Sequence, residues 1–413
     1  MFVGLANEAS PTSSHNNACA KPHHRLTNML TPDHDPFGDQ VATPLPLSAA
    51  QPDFDRPLVA VLGLPIDAVD MNQTQGLLEA ARRNKKRCFL STPNLNFAIQ
   101  SQHDTVFRDS VCRSDLSTAD GMPLVWIGRL VGAGLRERVS GASLFEHLRE
   151  MKNPPWRVFF LGGPQGASQE ACLTLGQEAT GMQPVGLIFP GFGGMADMSR
   201  QDIIDCINDA TPDFLLVSLG AAKGQTWITE NMPRLNAPVI SHLGAVVNFA
   251  AGTVQRAPGW VQRLGFEWAW RIKEEPALWR RYLKDGTALL KLALTQVLPL
   301  TLQCLWRRKL VRGAPATASW QPSGQVLELD GVCAGERLGA VRQAFTQAWA
   351  RGGPLTLDLS GVTYFDVHFV GIWLLLESHM RETGRPLHLR GLQPAHRRWL
   401  HWHAAGHLAN THA

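Results

Sequence analysis

The chain has 413 residues, of which 44% are hydrophobic and 18% charged, with a formal net charge of +4. This composition is that of a globular protein with two or three domains and substantial cores. The seven cysteines include no C-x-x-C pair, which argues for a reducing compartment and against a disulfide framework or a zinc site. No basic segment followed by an apolar run opens the chain, so no secretory signal is predicted.

The first 55 residues are rich in proline, asparagine, serine and aspartate and lack apolar periodicity, which predicts a disordered tail. The triplet Asp53-Phe54-Asp55 matches the Asp-x-Asp pattern that many sugar transferases use for a metal. Because it lies in this tail, we interpret it as a chance match and predict no metal site there.

From residue 57 to residue 251, apolar strand patterns alternate with helical ones, which indicates a parallel α/β sheet. The predicted strands cover residues 58–62, 87–92, 115–119, 157–162, 184–188, 214–220 and 238–242. The predicted helices cover residues 70–83, 93–102, 105–112, 122–131, 142–151, 164–179, 199–210 and 224–233.

Small polar and acidic residues follow two of the predicted strands. Thr92 and Asn94 come after the second strand, and Asp120 follows the third. Ligands of open parallel sheets bind outside the carboxyl ends of the strands, so these three side chains are candidates for one site. The alternative is that each only caps a helix or closes a turn, since these are ordinary capping residues.

Two glycine-rich turns also follow predicted strands. One contains Gly162 and Gly163, and the other runs from Gly220 to Gly224. Glycine lets backbone N–H groups approach a phosphate, and the helix that follows favours negative charge. Neither turn matches a Walker A loop or a dinucleotide fingerprint, and turns commonly need glycine in any case.

Several motifs in this region carry a family resemblance. They are T-P-N-L-N (92–96), A-D-G-M-P (119–123), E-R-V-S-G (137–141), F-L-G-G (160–163), S-L-G-A-A-K-G-Q-T-W-I (218–228) and L-G-A-V-V-N-F-A-A-G-T-V-Q-R-A-P-G-W (243–260). Over residues 57–285 the chain resembles the WecG/TagA/CpsF glycosyltransferases. The resemblance implies inverting, metal-independent transfer, without a cofactor, from a UDP-sugar to a polyprenyl-diphosphate-linked sugar. The transferred sugar would be N-acetylmannosamine or a related hexose.

The same resemblance suggests roles for individual residues. Asp120 would be the catalytic base, Thr92 and Asn94 would hold the sugar or nucleotide, and Arg138 would bind a phosphate. Without a metal, the leaving UDP needs arginines and helix N-termini to neutralise its charge. The remaining candidate binding residues are Gly121, Gly162, Gly163, Gln225, Arg256, Arg263, Arg271, Arg280 and Arg281.

Two positions depart from the family pattern. The family commonly has P-K-Q-E where this chain has Ala222-Lys223-Gly224-Gln225, and F-D where it has Val247-Asn248. The shifted glutamine and the missing carboxylate leave open a second function, in which the transferase domain is impaired and the chain acts as a regulatory or scaffold protein.

The segment 256–312 has twelve basic and four acidic residues, a net charge of +8, and several tryptophans. Residues 287–306 are mostly apolar with one charge, Lys291, and approach the length of a membrane span, although Pro299 interrupts them. We interpret this segment as a helix in the interface of an anionic membrane, with a span or a buried interdomain helix as alternatives. No nucleic-acid motif accompanies these basic residues, so no nucleic-acid partner is predicted.

After a small-residue linker, a second pattern of strands and helices begins. Strands are predicted at 324–330, 354–359 and 386–390, and helices at 335–351, 370–383 and 395–403. The stretches L-D-L-S-G-V-T-Y-F-D-V-H-F-V-G (357–371) and R-E-T-G-R-P-L-H-L-R-G-L (381–392) resemble a STAS domain of the anti-sigma-factor-antagonist type. Asp366-Val367 stands where the phosphorylated form has Asp-Ser, so no serine phosphorylation is predicted. The resemblance implies a protein partner for this domain.

The predicted fold is therefore α/β, with a Rossmann-like, mostly parallel sheet, a helical appendage and a separate small STAS domain. The boundaries are a tail (1–55), a transferase domain (56–252), a basic membrane-facing appendage (253–312), a linker (313–320) and a STAS-like domain (321–413). The linker predicts that the transferase part folds without the C-terminal unit. We expect a cytoplasmic protein bound peripherally to the inner face of the membrane.

Overall fold

The computed structural model describes most of the chain beyond the predicted tail. The described residues are 51–151, 154–164, 166–177, 181–191, 193–244, 246–252, 256–263, 265–308 and 314–410. Most of the predicted tail therefore lies outside the described residues.

Eight strands lie in the described part of the transferase domain. They are β1 (Leu58–Val61), β2 (Leu64–Asp67), β3 (Cys88–Ser91), β4 (Leu116–Ser117), β5 (Trp156–Gly162), β6 (Met182–Ile188), β7 (Phe214–Ser218) and β8 (Val239–His242). Strands β3 to β8 form one parallel sheet in the order β4-β3-β8-β7-β5-β6. The predicted Rossmann-like parallel sheet is confirmed.

The helices of this domain cover both faces of the parallel sheet. They are α1 (Met71–Arg83), α2 (Leu95–Ser101), α3 (Thr105–Cys112), α4 (Met122–Leu130), α5 (Gly141–Glu150), α6 (Ala167–Gln177), α7 (Met195–Met198), α8 (Gln201–Asp209), α9 (Ala221–Asn231) and α10 (Val246–Ala250), with a 3-10 turn at Met232–Arg234. Apolar side chains of α1, α5, α6 and α10 cover one face, and those of α8 and α9 cover the other.

The direction of the chain changes between β3 and β8, which are neighbours in the sheet. After β3 the chain enters α2, whose Phe97 meets the ring of His242 on the face that carries α9. After β8 it enters α10, on the opposite face. Such a switch point opens a crevice at the carboxyl ends of the strands, where open α/β sheets bind their ligands.

The first predicted strand does not join the parallel sheet. β1 pairs antiparallel with β2 through a tight turn at Leu62 and Gly63, which have φ of 50° and 79°. Both central residues of a type I′ hairpin need positive φ, so this turn suits two adjacent antiparallel strands. The Asp67 carboxylate holds the hairpin by accepting a hydrogen bond from the Ser117 N–H (2.7 Å) and pairing with Arg56 (2.6 Å).

The appendage consists of helices that follow the transferase sheet. They are α11 (Gly259–Arg263), α12 (Glu267–Glu274), a 3-10 turn (Pro276–Leu278), α13 (Trp279–Leu292), a π-helical turn (Ala293–Val297) and α14 (Leu298–Arg308). The π turn lies just before Pro299, which has no N–H to donate within the helix. By length and composition, the helical stretch Pro276–Trp306 is the one candidate for crossing a membrane among the described residues.

This long helix has two different sides. Leu292, Val297 and Leu300 are buried against apolar residues of α2, α4 and the hairpin. The other side exposes large apolar side chains: Trp279, Leu283, Leu290, Leu294, Leu298, Leu302, Leu305 and Trp306. We call these eight residues the apolar face. The buried side matches in part the alternative of an interdomain helix, whereas the apolar face lacks a protein partner among the described residues.

The C-terminal domain contains a mixed four-stranded sheet that is separate from the first. Its strands β9 (Thr317–Gln321), β10 (Val326–Cys333), β11 (Leu355–Phe365) and β12 (Leu387–Arg390) lie in the order β12-β11-β10-β9. Its helices are α15 (Gly339–Arg351), α16 (Val367–Glu382) and α17 (Pro394–Trp402), with 3-10 turns at Pro322–Gly324, Gly335–Leu338 and Gly406–Asn410. The sheet confirms the predicted STAS-like fold, although β9 begins inside the predicted linker.

The two domains share a hydrophobic core, which the sequence analysis did not predict. Leu58 and Ala60 of the hairpin belong to the same buried cluster as the α16 residues of the STAS domain. A Cβ atom on Gly371 of α16 would lie 3.1 Å from the backbone of Leu58 and Val59, so a side chain there would require β1 and α16 to move apart by a few tenths of an ångström. This shared core argues against the predicted independence of the transferase part.

Two further contacts extend this interface. Phe54 is buried and meets Phe345 edge-on at 5.5 Å between ring centroids, so the last residues of the predicted tail are packed. Arg381 of α16 pairs with Asp109 of α3 at 2.7 Å. The STAS domain therefore contacts α3, the helix that leads into β4.

Candidate active site

The predicted site residues at the ends of β3 and β4 come together. The Asp120 N–H donates to the Pro93 carbonyl (2.8 Å), and the Val139 N–H donates to the Ala119 carbonyl (3.0 Å). These hydrogen bonds lie just beyond the ends of β3 and β4. They hold the segment before α5 next to the carboxyl edge of the parallel sheet. Asp120 therefore lies next to the residues that follow β3, as the sequence predicts for one shared site.

The first turn of α5 forms part of the same site. The Gly141 N–H, in the first residue of α5, donates a hydrogen bond to the Asp120 carboxylate. The Thr92 hydroxyl lies 3.6 Å from the position that a Cβ on Gly141 would take, and Thr92 is buried. A helix N-terminus favours a negative charge, so α5 stabilises the ionised form of Asp120.

Asn94 and Gly121 lie beside each other at this edge. Asn94 is the N-cap of α2, where its side-chain oxygen accepts from the Phe97 N–H (3.1 Å), so the helix begins two residues later than predicted. Gly121 has φ of 132°, a value that L side chains rarely adopt, and its Cβ position would lie 3.9 Å from the Asn94 Cβ. Asn94 therefore caps α2 through its side-chain oxygen, and a ligand contact by this residue stays a prediction.

Arg138, from the segment before α5, and residues of the appendage form a network beside Asp120. Arg138 forms an ion pair with Glu267 of α12 and donates to the Gln262 side chain of α11 (3.3 Å). Gln262 also accepts from Arg256 (3.2 Å), which in turn donates to the Ser143 hydroxyl in the first turn of α5 (3.0 Å). This network joins the end of the sheet to the appendage.

Charges around Asp120 act in opposite directions. Burial raises the pKa of its carboxyl to about 6, and Glu267 adds to the increase, whereas Arg138 and Arg271 favour the carboxylate. The Nε atom of Arg271 is buried and has no hydrogen-bond partner among the described residues. A carboxyl with a pKa near neutrality suits a general base, and an unpaired guanidinium nitrogen suits an anionic ligand.

We expect this pKa to appear in the pH dependence of catalysis. Below about pH 6 Asp120 is protonated and cannot accept a proton, so kcat/KM should fall on the acid side with a midpoint near 6. Because Glu267 raises the pKa, Glu267→Gln should move the midpoint to lower pH. Initial rates between pH 4.5 and 8.5 would measure both; an unchanged midpoint in the variant, or a flat profile, would contradict the assignment.

Two of the predicted arginines are not brought into this network. Arg280 and Arg281 are exposed on α13, where Arg280 stacks on Trp279 (5.6 Å to the ring centroid) and Arg281 lies 3.9 Å from Asp285. The side chain of Arg263 lies outside the described residues. A role for these arginines at the active site thus stays a prediction.

The glycine turn after β5 lies farther along the same edge. The Gly163 N–H donates to the Ser218 carbonyl (2.8 Å), and the Gly162 carbonyl accepts from Ser168. β5 is four positions from β4 in the sheet, which at about 4.8 Å per strand is roughly 19 Å. Gly163 therefore has its N–H committed within the protein, and phosphate binding by this turn stays a prediction.

Gln225 occupies a packing position in this structure. Its side chain is completely buried and forms hydrogen bonds with the Ser91 hydroxyl (3.2 and 3.3 Å) between α9 and β3. This position gives the Gln225 side chain no route to a ligand and does not support the predicted direct contact. The physical reason is that α9 turns this residue toward the sheet interior.

Sequence reasoning did not single out Gln262, Glu267 or Ser143. Gln262 and Glu267 lie in an appendage where only the arginines were considered, and a glutamine between two arginines has no sequence signature. Ser143 lies two residues after the E-R-V-S-G motif. The sequence signal that could have pointed to it is Ser140 of that motif, which is the N-cap of α5.

The fold and the site together bring a partly buried carboxyl and several arginines to one edge of an α/β sheet. Comparison with known proteins gives its family. Residues 59–302 match the model of the glycosyl transferase WecG/TagA/CpsF family, and residues 316–408 match that of the Mlab, STAS domain. Because the first match spans more than half of the chain, the protein belongs to the WecG/TagA/CpsF family of glycosyltransferases.

Curated relatives match the transferase part. An N-acetylglucosaminyldiphosphoundecaprenol N-acetyl-β-D-mannosaminyltransferase of Bacillus spizizenii is 27% identical over 210 residues, which is 50% of this chain and 80% of the relative. The enzyme of the same name from Bacillus subtilis is 27% identical over 194 residues, covering 47% of this chain and 74% of the relative. One from Staphylococcus aureus strain MW2 is 22% identical over 225 residues, covering 54% and 86%.

Proposed function

We propose that the protein transfers an N-acetylmannosamine-type or related hexose from a UDP-sugar to a polyprenyl-diphosphate-linked sugar, with inversion and without a metal. The observation that carries this proposal is Asp120, a shielded carboxyl with a pKa of about 6 among Arg138, Arg271 and the start of α5. The names of the relatives, which specify an N-acetylmannosaminyl group and an N-acetylglucosaminyldiphosphoundecaprenol acceptor, support the donor and acceptor classes.

In the proposed reaction, Asp120 accepts the proton of the acceptor hydroxyl while that oxygen attacks the anomeric carbon. The bond from this carbon to the UDP oxygen breaks on the opposite side, so one step inverts the configuration. The electron pair of that bond leaves with UDP, and the proton remains on Asp120. A base in this position typically contributes a factor of about 10² to 10⁴.

Arginines would stabilise the departing diphosphate. Arg138, Arg256 and Arg271 approach the site from three segments, and the Nε atoms of Arg256 and Arg271 are buried without a partner among the described residues. Buried donors aimed at developing charge are worth more than exposed ones, because water does not screen them. In this structure the Arg138 guanidinium forms an ion pair with Glu267. An incoming phosphate would compete with the Glu267 carboxylate for this guanidinium.

UDP release measures the proposed activity directly. Purified protein would be mixed with UDP-N-acetylmannosamine and an N-acetylglucosaminyl diphosphate carried on a short polyprenyl chain, with and without EDTA. We expect acceptor-dependent UDP release and a product heavier by one N-acetylhexosamine, both resistant to EDTA. Failure to release UDP from a panel of UDP-sugars would instead favour the regulatory or scaffold function, and a protein partner of the STAS domain stays a prediction in either case.

We further propose that the protein binds the cytoplasmic surface of the membrane peripherally through the appendage. The apolar face lies along one side of a helix whose other side is packed inside the protein. Trp260, Phe266 and Trp268 of the neighbouring α11–α12 segment are also exposed, beside the residues that reach Asp120. A lipid-anchored acceptor would then meet the site at the membrane surface, and the basic residues around it would favour anionic lipids.

Replacing Leu290, Leu294 and Leu298 by glutamine should release the protein from vesicles. Each change removes an exposed leucine from the apolar face, so we expect binding to vesicles with anionic lipid to fall by more than tenfold. Sedimentation with anionic and neutral liposomes, at low and high salt, would measure this. The control is Leu77→Gln with Leu173→Gln, since both leucines are exposed elsewhere in the transferase domain. Equal loss in both variants would contradict the proposed face.

A further inference from the structure

His242 lies at the switch point but has no part in the network around Asp120. It is the last residue of β8, which neighbours β3 in the sheet, so its side chain stands next to the crevice between these strands. Phe97 of α2 lies beside the imidazole, at 6.4 Å between ring centroids. Polar side chains at such a position commonly contact the ligand of an α/β sheet.

Two glycines leave space around this ring. A Cβ atom on Gly224 of α9 would lie 2.2 Å from the His242 Cδ2 and 3.2 Å from its Nε2, so a side chain there would displace the imidazole. The Cβ position of Gly244 lies 3.3 Å from the same Nε2. Nε2 is therefore aimed between two positions that have no side chain. Gly224 also stands where the family pattern P-K-Q-E has its glutamine, so this chain has no side chain at that position beside the imidazole.

The imidazole is nine-tenths buried, and its Nε2 has no hydrogen-bond partner among the described residues. Burial lowers the pKa of His242 to about 4, so the ring is neutral at physiological pH. A buried polar atom without a partner costs stability, and a bound ligand that supplies the partner removes this cost. A neutral imidazole suits a hydroxyl, carbonyl or amide group better than a diphosphate.

We infer that His242 is a ligand-contacting residue, whose Nε2 forms a hydrogen bond with a neutral polar group of the sugar nucleotide. The inference rests on the proposed function and places this contact on β8. The contacted group belongs either to the uridine or to the sugar. If it belongs to the uridine, binding of UDP alone depends on His242; if it belongs to the sugar, only binding of the UDP-sugar does.

Calorimetric titration of the full-length protein with UDP and with UDP-N-acetylmannosamine tests the inference. Leucine at position 242 keeps an apolar volume but offers no hydrogen bond, so His242→Leu should weaken binding by about tenfold to a hundredfold. The matched control is His403→Leu, because His403 is also buried, has an unpaired ring nitrogen and a pKa lowered to about 4, but lies in the STAS domain. His242→Gln, whose side-chain amide can still form a hydrogen bond, should bind more tightly than His242→Leu.

Weaker binding of UDP itself would place the contact on the uridine, and weaker binding of the UDP-sugar alone would place it on the sugar; either result supports the inference. Unchanged affinity for both in a folded His242→Leu protein would overturn it. If that variant does not fold, Gly224→Ala decides, because its methyl group must displace the ring, with Gly76→Ala as the control that meets no atom within 4 Å. Wild-type protein that binds neither compound would overturn the proposed function and this inference together.

Discussion

Replacing Asp120 by asparagine is expected to lower turnover by about two to four powers of ten while leaving UDP affinity unchanged. The amide has the same shape but cannot take the acceptor proton, whereas the arginines that would hold the diphosphate remain in place. Steady-state UDP release and calorimetric titration with UDP would separate these two effects. Turnover near that of the wild type would remove Asp120 as the base.

The asparagine variant should also be at least as stable as the wild type at neutral pH. The pKa of Asp120 is higher in the folded protein than its ordinary value of 3.8, so the ionised carboxylate at neutral pH favours the unfolded state. The stability that Asp120 provides when protonated is thus lost as pH rises toward 6 and above. Asp104→Asn is the matched control: Asp104 caps α3 by accepting from the Phe107 N–H (2.9 Å), and asparagine caps equally well.

Ending the chain at residue 311 is expected to yield an unstable, aggregation-prone transferase. The truncation uncovers the hairpin and Phe54, which are buried in the core shared with α15 and α16. Full burial of a leucine or phenylalanine is worth about 1.5–3 kcal/mol, so losing the cover over several residues approaches the entire stability of a domain. Solubility after expression and UDP binding would be measured; a soluble truncated protein that binds UDP would restore the predicted independence.

A point substitution tests the same interface in the full-length protein. Gly371→Val would push side-chain atoms into the backbone of β1, so we expect unfolding to become easier by about 1–3 kcal/mol. Gly339→Ala, at the first residue of α15, meets no atom within 4 Å and should be neutral or slightly stabilising. Equal melting temperatures for the two variants would show that the close approach at Gly371 contributes little.

Local patterns predicted the parallel sheet well because its strands are short apolar runs between amphipathic helices. They could not assign β1, since the run 58–61 is apolar on both sides and its partner α16 lies some 300 residues away. The carboxyl-edge rule correctly brought Asp120 and Thr92 together. The rule did not predict that Gln225 faces Ser91, because a shift of one position along a helix changes whether a side chain faces the sheet or the ligand.

Residues that act through long-range packing were hardest to predict. Gln262 and Glu267 contact Arg138 only because the appendage folds back over the end of β4. Local sequence patterns do not predict this tertiary contact. His242 closed a predicted strand, and only the absent side chain at Gly224 shows why its ring fits. In both cases the role of the residue depends on how two distant elements pack together, which local sequence patterns do not predict.

The contact between β1 and α16 also bears on synthesis at the ribosome. The hairpin emerges from the ribosome before the helix that covers it, because α16 is encoded more than 300 residues later. Nascent protein therefore carries Leu58 and Ala60 uncovered until α16 has been translated. We expect products that terminate before α16 to keep this surface exposed and to be degraded, so that the transferase domain accumulates only together with the STAS domain.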